Sequence, residues 1–260
     1  MGASHNSKGL VNVVTKALER NRLWLYLRND IILGKGYPWD LVLLHSVYSA
    51  ASWRSFVEKE GAPGERNSLA YNVVAAFLCH GFGGTTFRDV VIGQPPGVVT
   101  NADVVKAWLL AVAAVYYSPF DLVFGLVRAP RSLSGLTVTA FEAVDSSTTV
   151  CGSVEKAIRL FPESQTAPFV VAILSGMGGS LFRYLERKLG RGWDNVTTEW
   201  SKPSQALRRT LLYSAVYLGL RRTYGMERAR LSVACFHLAV TLTQEISGKT
   251  LDWTRVLPLL

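Results

Sequence analysis

Gly81-Phe82-Gly83-Gly84-Thr85-Thr86-Phe87-Arg88 recurs as Gly176-Met177-Gly178-Gly179-Ser180-Leu181-Phe182-Arg183, with glycines, hydroxyl, phenylalanine and arginine in register at one constant offset. Each glycine inside a helix costs about 1 kcal/mol relative to alanine, so such a run predicts a break. Within a bilayer, irregular backbone survives only where protein or a water-filled cavity covers it. The competing use is close packing of helices through small residues. Two copies at matched positions favour a pore or binding site over packing alone.

Around these motifs lie seven apolar blocks of roughly twenty residues, the length a helix needs to cross a hydrocarbon core. They run Tyr37–Val57, Leu69–Ile92, Val104–Val127, Leu133–Val154, Ala167–Tyr184, Gln205–Leu220 and Leu231–Ile246. The first glycine run falls in the second block and its copy in the fifth. Three spans separate them, and an odd number reverses orientation across the membrane. The reading is an all-α membrane protein of seven transmembrane helices, arranged as two inverted three-helix repeats plus a seventh helix. Residues 1–36 form an amphipathic or solvated arm, 37–127 the first repeat, 128–222 the second, and 223–260 the seventh helix and tail.

Composition agrees. Of 260 residues only 18% are charged, against about 25% in an ordinary soluble domain. The net charge of +9 belongs mainly to the arm and the connectors, as at Arg20, Arg22, Arg28, Arg187, Lys188, Arg221 and Arg222. Charge placed there borders a membrane and predicts no nucleic-acid partner. Lys16, Glu19, Arg20 and Arg22 interrupt any signal-peptide core in the arm,. No phosphate loop, nucleophile elbow or HExxH pattern occurs, so neither an enzyme nor a cofactor is expected. Cys79-His80 and Cys235-x-His237 lack the further ligands a metal site requires, and none is predicted,.

Ionisable residues inside spans cost roughly 2.5–3.5 kcal/mol at a helix centre and usually face a cavity or a partner. Asp40, Arg88, Asp89, Asp121, Glu142, Asp145 and Arg183 are therefore the candidate pore-lining or gating charges, with His45 and Arg54 also intramembrane. Gly81, Gly83, Gly84, Gly176, Gly178 and Gly179 are the candidate pore kinks. For Asp40, Arg54, Arg88 and Asp89 a place at the interface is the plainer reading. Glu142 and Asp145, three apart, share one helix face. Pro119 bends the third span and puts Asp121 beyond the bend.

An ordered set of short motifs adds a resemblance. It comprises Pro38-x-Asp40-Leu41, Glu60-Gly61-Ala62, Cys79-His80-Gly81-Phe82-Gly83-Gly84, Ile92-Gly93-Gln94-Pro95-Pro96, Ser118-Pro119-Phe120-Asp121-Leu122 and Gly176-x-Gly178-Gly179. Along roughly residues 37–250 the chain resembles the trimeric intracellular cation (TRIC) channels of endoplasmic and sarcoplasmic reticulum. The resemblance implies a homotrimer in the endoplasmic reticulum membrane, with a pore in each protomer formed by the glycine-kinked second and fifth helices. It implies potassium as the permeant ion, supplying counter-current to calcium release, and an N-terminus in the lumen. The Asn195-Val196-Thr197 sequon would then lie on the cytosolic side,.

The fourth span departs from the family. Phe141 and Asp145 stand where the family pattern has the basic residues of a phosphoinositide site, which speaks against lipid control in that form. Two other classes remain open: a secondary transporter built on the same inverted repeat, and a non-conducting membrane scaffold.

Overall fold

The computed structural model describes residues 21–33, 39–60, 68–129, 132–190 and 203–248. The arm before residue 21, Pro38, the Gly61-Ala62 loop, the Asn195 sequon and the tail after residue 248 lie outside them. Among the described residues every regular element is helical.

The described part of every apolar block is helical, the second and third blocks each being divided between two helices. After a short α1 (Arg22–Tyr26) come α2 (Trp39–Glu60), α3 (Leu69–Ala76), α4 (Gly83–Val91) and α5 (Ala102–Tyr117). Then follow α6 (Leu122–Arg128), α7 (Leu133–Leu160), α8 (Ala167–Leu185), α9 (Gln205–Tyr224) and α10 (Met226–Ser247). The boundaries are written locally. Ser68, Asn101, Ser132 and Ser204 cap α3, α5, α7 and α9, each side-chain oxygen accepting a backbone N–H of the first turn,. Gly225 at φ +82° separates α9 from α10, a conformation that disfavours any side chain,.

The third block bends as Pro119 predicts. Helices α5 and α6 meet at 96°, and Phe120 and Asp121 take left-handed backbone at the corner. Arg54 of α2 holds the corner. It donates to Val115 O and both Asp121 oxygens at 2.9–3.0 Å, and lies 4.3 Å from the Phe124 ring centre.

By length and composition, one described helix is apolar enough to cross a membrane alone, Ala167–Leu189, with mean hydropathy 1.3. The α5–α6 pair qualifies only if its bent halves count as one span. The remaining blocks carry more polarity, as in α7 with Glu142, Asp145, Glu155 and Lys156 along it.

Two apolar cores divide the helices. Ala50, Ala51, Trp53, Ala75, Ala76, Cys79, Trp108, Val112 and Val115 join α2, α3 and α5. Val150, Cys151, Val154, Ala172, Tyr213, Tyr217, Ala229 and Val233 join α7, α8, α9 and α10. The second core carries an acid at its margin. Glu155 is 7% exposed and accepts from Tyr217 Oη and Arg221 Nε, each at 2.6 Å. Arg221→Ala leaves that carboxylate half-satisfied. Because Arg221 is a third exposed, we expect a loss of roughly 1–3 kcal/mol, below the 3–5 of a fully buried pair. Thermal melting of detergent-purified protein measures it, and Glu155→Gln should be milder.

Candidate functional site

The two glycine motifs meet each other. Helix α4 packs on α8, and the contact is reciprocal. A Cβ on Gly83 would lie 2.9 Å from the Phe182 ring, while one on Gly178 would lie 2.7 Å from Phe87 Cβ. Gly83 and Gly178 are equivalent positions of the repeat, as are Phe87 and Phe182, so each copy's phenylalanine rests on the other copy's glycine. The first glycines are equivalent too. Gly81 faces Trp108 of α5, and Gly176 faces Thr210 of α9.

Only the first copy is broken. Helix α3 runs into a wide turn, Phe77–Gly81, Phe82 leaves helical geometry, and α4 starts at Gly83. A side chain at Gly83 would drive its Cβ to 1.8 Å from Leu78 O, so the break itself demands glycine. Gly176, Gly178 and Gly179 were expected to kink the fifth span as well, and this is corrected: α8 continues through all three to Leu185. Their glycines serve close approach instead. Thr210 Oγ1 stands 2.5 Å from a Cβ at Gly176, and the α4 backbone stands 2.9 Å from one at Gly178. Contact along the seam offsets the helical cost of glycine.

The carbonyls of the break were expected to face a polar path. Three successive ones are taken up by side chains. Arg183 donates to Cys79 O at 3.1 Å, Ser49 to His80 O at 3.2 Å, and His45 Nε2 lies 3.4 Å from Gly81 O. Beside them is a cavity of about 310 Å³ between α2, the break, α7, α8 and α9. Its wall includes His45, Gly81, Gly84, Glu142, Asp145, Thr149, Ser175, Gly176, Gly179, Arg183 and Arg209.

Of the seven candidate charges, three meet there. Glu142 and Asp145 project from one face of α7 onto His45 of α2, whose Nδ1 is 2.9 Å from Glu142 Oε2 and 3.3 Å from Asp145 Oδ2. Arg183 lies on the same wall. The other four are elsewhere. Asp40 is exposed and accepts from the Tyr26 hydroxyl. Burial, joined by that carboxylate, pushes the Tyr26 phenol up to about 12,. Asp121 is held at the α5–α6 corner. Arg88 and Asp89 pair at 2.7 Å, with Lys156 of α7 at 2.8 Å from the same Asp89 oxygen. That cluster locks α4 to α7 away from the cavity.

Of the glycines, Gly81, Gly84, Gly176 and Gly179 line the cavity, whereas Gly83 and Gly178 form the seam. Arg209 went unnoticed in the sequence, although a basic residue inside the sixth block was its signal. The cysteine–histidine pairs do not converge: Cys79 is buried and Cys235 exposed, and His237 accepts from Arg209 at 3.0 Å. Among the described residues the metal-capable grouping is a different one, His45, Glu142 and Asp145.

Comparison with known proteins follows from this geometry. Residues 69–247 match the family described as TRIC channel. A Caenorhabditis elegans trimeric intracellular cation channel of type 1B.2 is 28% identical over 142 residues, 52% of this chain. That match spans 43% of the relative's length. A solved C. elegans trimeric intracellular cation channel, without calcium, superposes with TM-score 0.68 at 20% identity. It covers 95% of this chain and 100% of that one. A structure of TRIC counter-ion channels in calcium release gives TM-score 0.66 at 20% identity, covering 80% and 93%. These likenesses establish the helical fold.

Proposed function

The chain belongs to the TRIC channel family, and on that premise we propose that it conducts monovalent cations, potassium foremost, along a path inside each chain. The path runs by the cavity at the α3–α4 break. The observation that carries this reading is the cavity wall, where two carboxylates, hydroxyls and glycine backbone meet, with His45, Arg183 and Arg209 beside them. Irregular backbone at such depth is stable when it lines a cavity, and Glu142 and Asp145 draw cations toward it. Helix α8 contributes its wall as an unbroken helix.

The assembly proposed is a homotrimer, multi-pass in an intracellular membrane, with the endoplasmic reticulum first among them. Counter-current to calcium release is its proposed task. The reciprocal Gly83–Phe182 and Gly178–Phe87 contacts support two inverted repeats, because a self-complementary contact between equivalents requires a local twofold axis,. Phosphoinositide control is no part of the proposal, since Phe141 and Asp145 replace the basic residues.

Purified protein in planar bilayers under mixed potassium, sodium and chloride gradients tests the function. Unitary currents reversing toward the cation potentials are expected. Glu142→Gln with Asp145→Asn should lower conductance several-fold while leaving assembly intact. Saturable flux coupled to an ion gradient, without unitary currents, would replace the channel by a transporter. Silence under every voltage and calcium condition would leave a scaffold.

A further inference from the structure

The side chains of His45, Glu142 and Asp145 each offer one donor atom, and the three donors lie within 4.8 Å of one another. The two carboxylates come from adjacent turns of α7, and the imidazole reaches them across the cavity from α2. Among the described residues, His45 is the ion-pair partner of both acids. Two arginines share the wall, and the charge of Arg209 is felt at Glu142. Arg183 bonds Cys79 O and Ser180 Oγ, and Arg209 bonds His237.

His45 presents a second feature. Its Nε2 lies 3.4 Å from Gly81 O, and the tautomer with its proton on Nε2 donates there. Neutral imidazole has then only a lone pair at Nδ1, aimed at two carboxylate oxygens. In that tautomer the Nδ1 lone pair stands 2.9 and 3.3 Å from the two carboxylate oxygens, and such a set of acceptors calls for a positive centre. Metal-binding histidines use this arrangement, with one ring nitrogen fixed by a backbone carbonyl so that the other is free to ligate. Zinc bonds of about 2.0–2.2 Å at angles near 90–110° place donors about 3.0–3.4 Å apart. The two nitrogen–oxygen separations, 2.9 and 3.3 Å, come close to that span.

An independent polar group points the same way. Ser175 Oγ, in a residue 8% exposed on the wall of this cavity, has no hydrogen-bond partner. Unsatisfied hydroxyls in a roomy polar cavity mark a place for bound water or a hydrated ion.

We propose that His45, Glu142 and Asp145 form a binding site for a divalent transition cation of the zinc class inside the cavity. Calcium and magnesium take oxygen donors, whereas an imidazole with two carboxylates suits borderline ions such as zinc or cobalt. The remaining coordination positions open onto the cavity. If the cavity is the conducting path, an ion held there blocks it, and that consequence alone rests on the channel reading.

Cobalt is the probe, because its visible absorption bands report coordination without any current. Full-length protein in detergent, freed of metal and titrated with Co²⁺, should show bands saturating at about one ion per chain, displaced by Zn²⁺ and unmoved by equal Ca²⁺. His45→Gln should weaken binding by more than the roughly 10–100-fold that altering an outer-shell partner costs. Glu142→Gln with Asp145→Asn should do the same, and each variant should elute as the wild type does. Cys235→Ser should change nothing. Absence of bands in the wild type overturns the proposal whatever the variants do, and then a proton on Nδ1 is the positive centre. Bands that survive His45→Gln, that carry intense thiolate charge-transfer absorption, or that yield to calcium overturn it too. Loss of binding in His45→Gln beside normal conductance supports the site, while metal binding without conductance sinks only the channel.

Discussion

Gly84→Ala is expected to push α4 away from α8, with a large loss of stability for a single added methyl. Its Cβ would sit 2.2 Å from Ser175 O, a backbone atom that cannot turn aside. Helix α4 must move off α8, and overpacking of this kind costs about 1–3 kcal/mol, sometimes more. The gain in helix propensity, about 1 kcal/mol, is too small to offset it. Gly178→Ala meets Phe87 Cβ at 2.7 Å and the α4 backbone at 2.9 Å, and should behave alike. Controls are built into the same fold. Gly152 of α7 and Gly219 of α9 have nothing within 4 Å of a new Cβ, so alanine there should leave melting unchanged or raise it,. Equal melting temperatures for Gly84→Ala and Gly152→Ala would dismiss the seam as the reason for the repeat.

Asp89→Ala is the second large effect. The Asp89 carboxylate is 5% exposed and sits between Arg88, 11% exposed, and Lys156, 24% exposed. Removing it leaves two cations facing each other, with Ser153 Oγ still accepting from Arg88. Breaking a buried ion group by deleting one partner costs about 3–5 kcal/mol, because the survivors keep their desolvation penalty. Asp89→Asn retains a polar neighbour and should lose less. Melting in detergent again decides: a wild-type midpoint for Asp89→Ala would mean that the two cations are solvated.

The glycine repeat, the helical character of the apolar blocks and the bend at Pro119 were legible in the sequence because each is local. Glycine count, apolar run length and a fixed proline φ need no knowledge of neighbours. What escaped depends on chain segments far apart. Gly178 and Gly83 read alike, yet one sits in a continuous helix and the other at a break. The difference lies upstream, in the wide turn Phe77–Gly81 that α8 lacks before its glycines. The pairing of Glu142 with His45 spans 97 positions, and spacing along α7 could show only that two acids share a face. Arg88 and Arg183 occupy equivalent places in the repeat, but one binds the neighbouring Asp89 and Ser153 of α7 and the other a carbonyl of the break. Symmetry in sequence did not carry over into equal roles.

The glycine–phenylalanine seam has a bearing on ancestry. A contact that maps onto itself when its two sides are exchanged is the contact a homodimer makes about a twofold axis. A single three-helix unit with this motif could therefore have paired with an upside-down copy of itself, and any change in the motif would then have altered both sides at once. Joining the copies in one chain removes that constraint. Phe82 and Met177 occupy matching positions, and only the first now interrupts its helix. The glycine–phenylalanine contact is common to both halves, while the break belongs to the first alone.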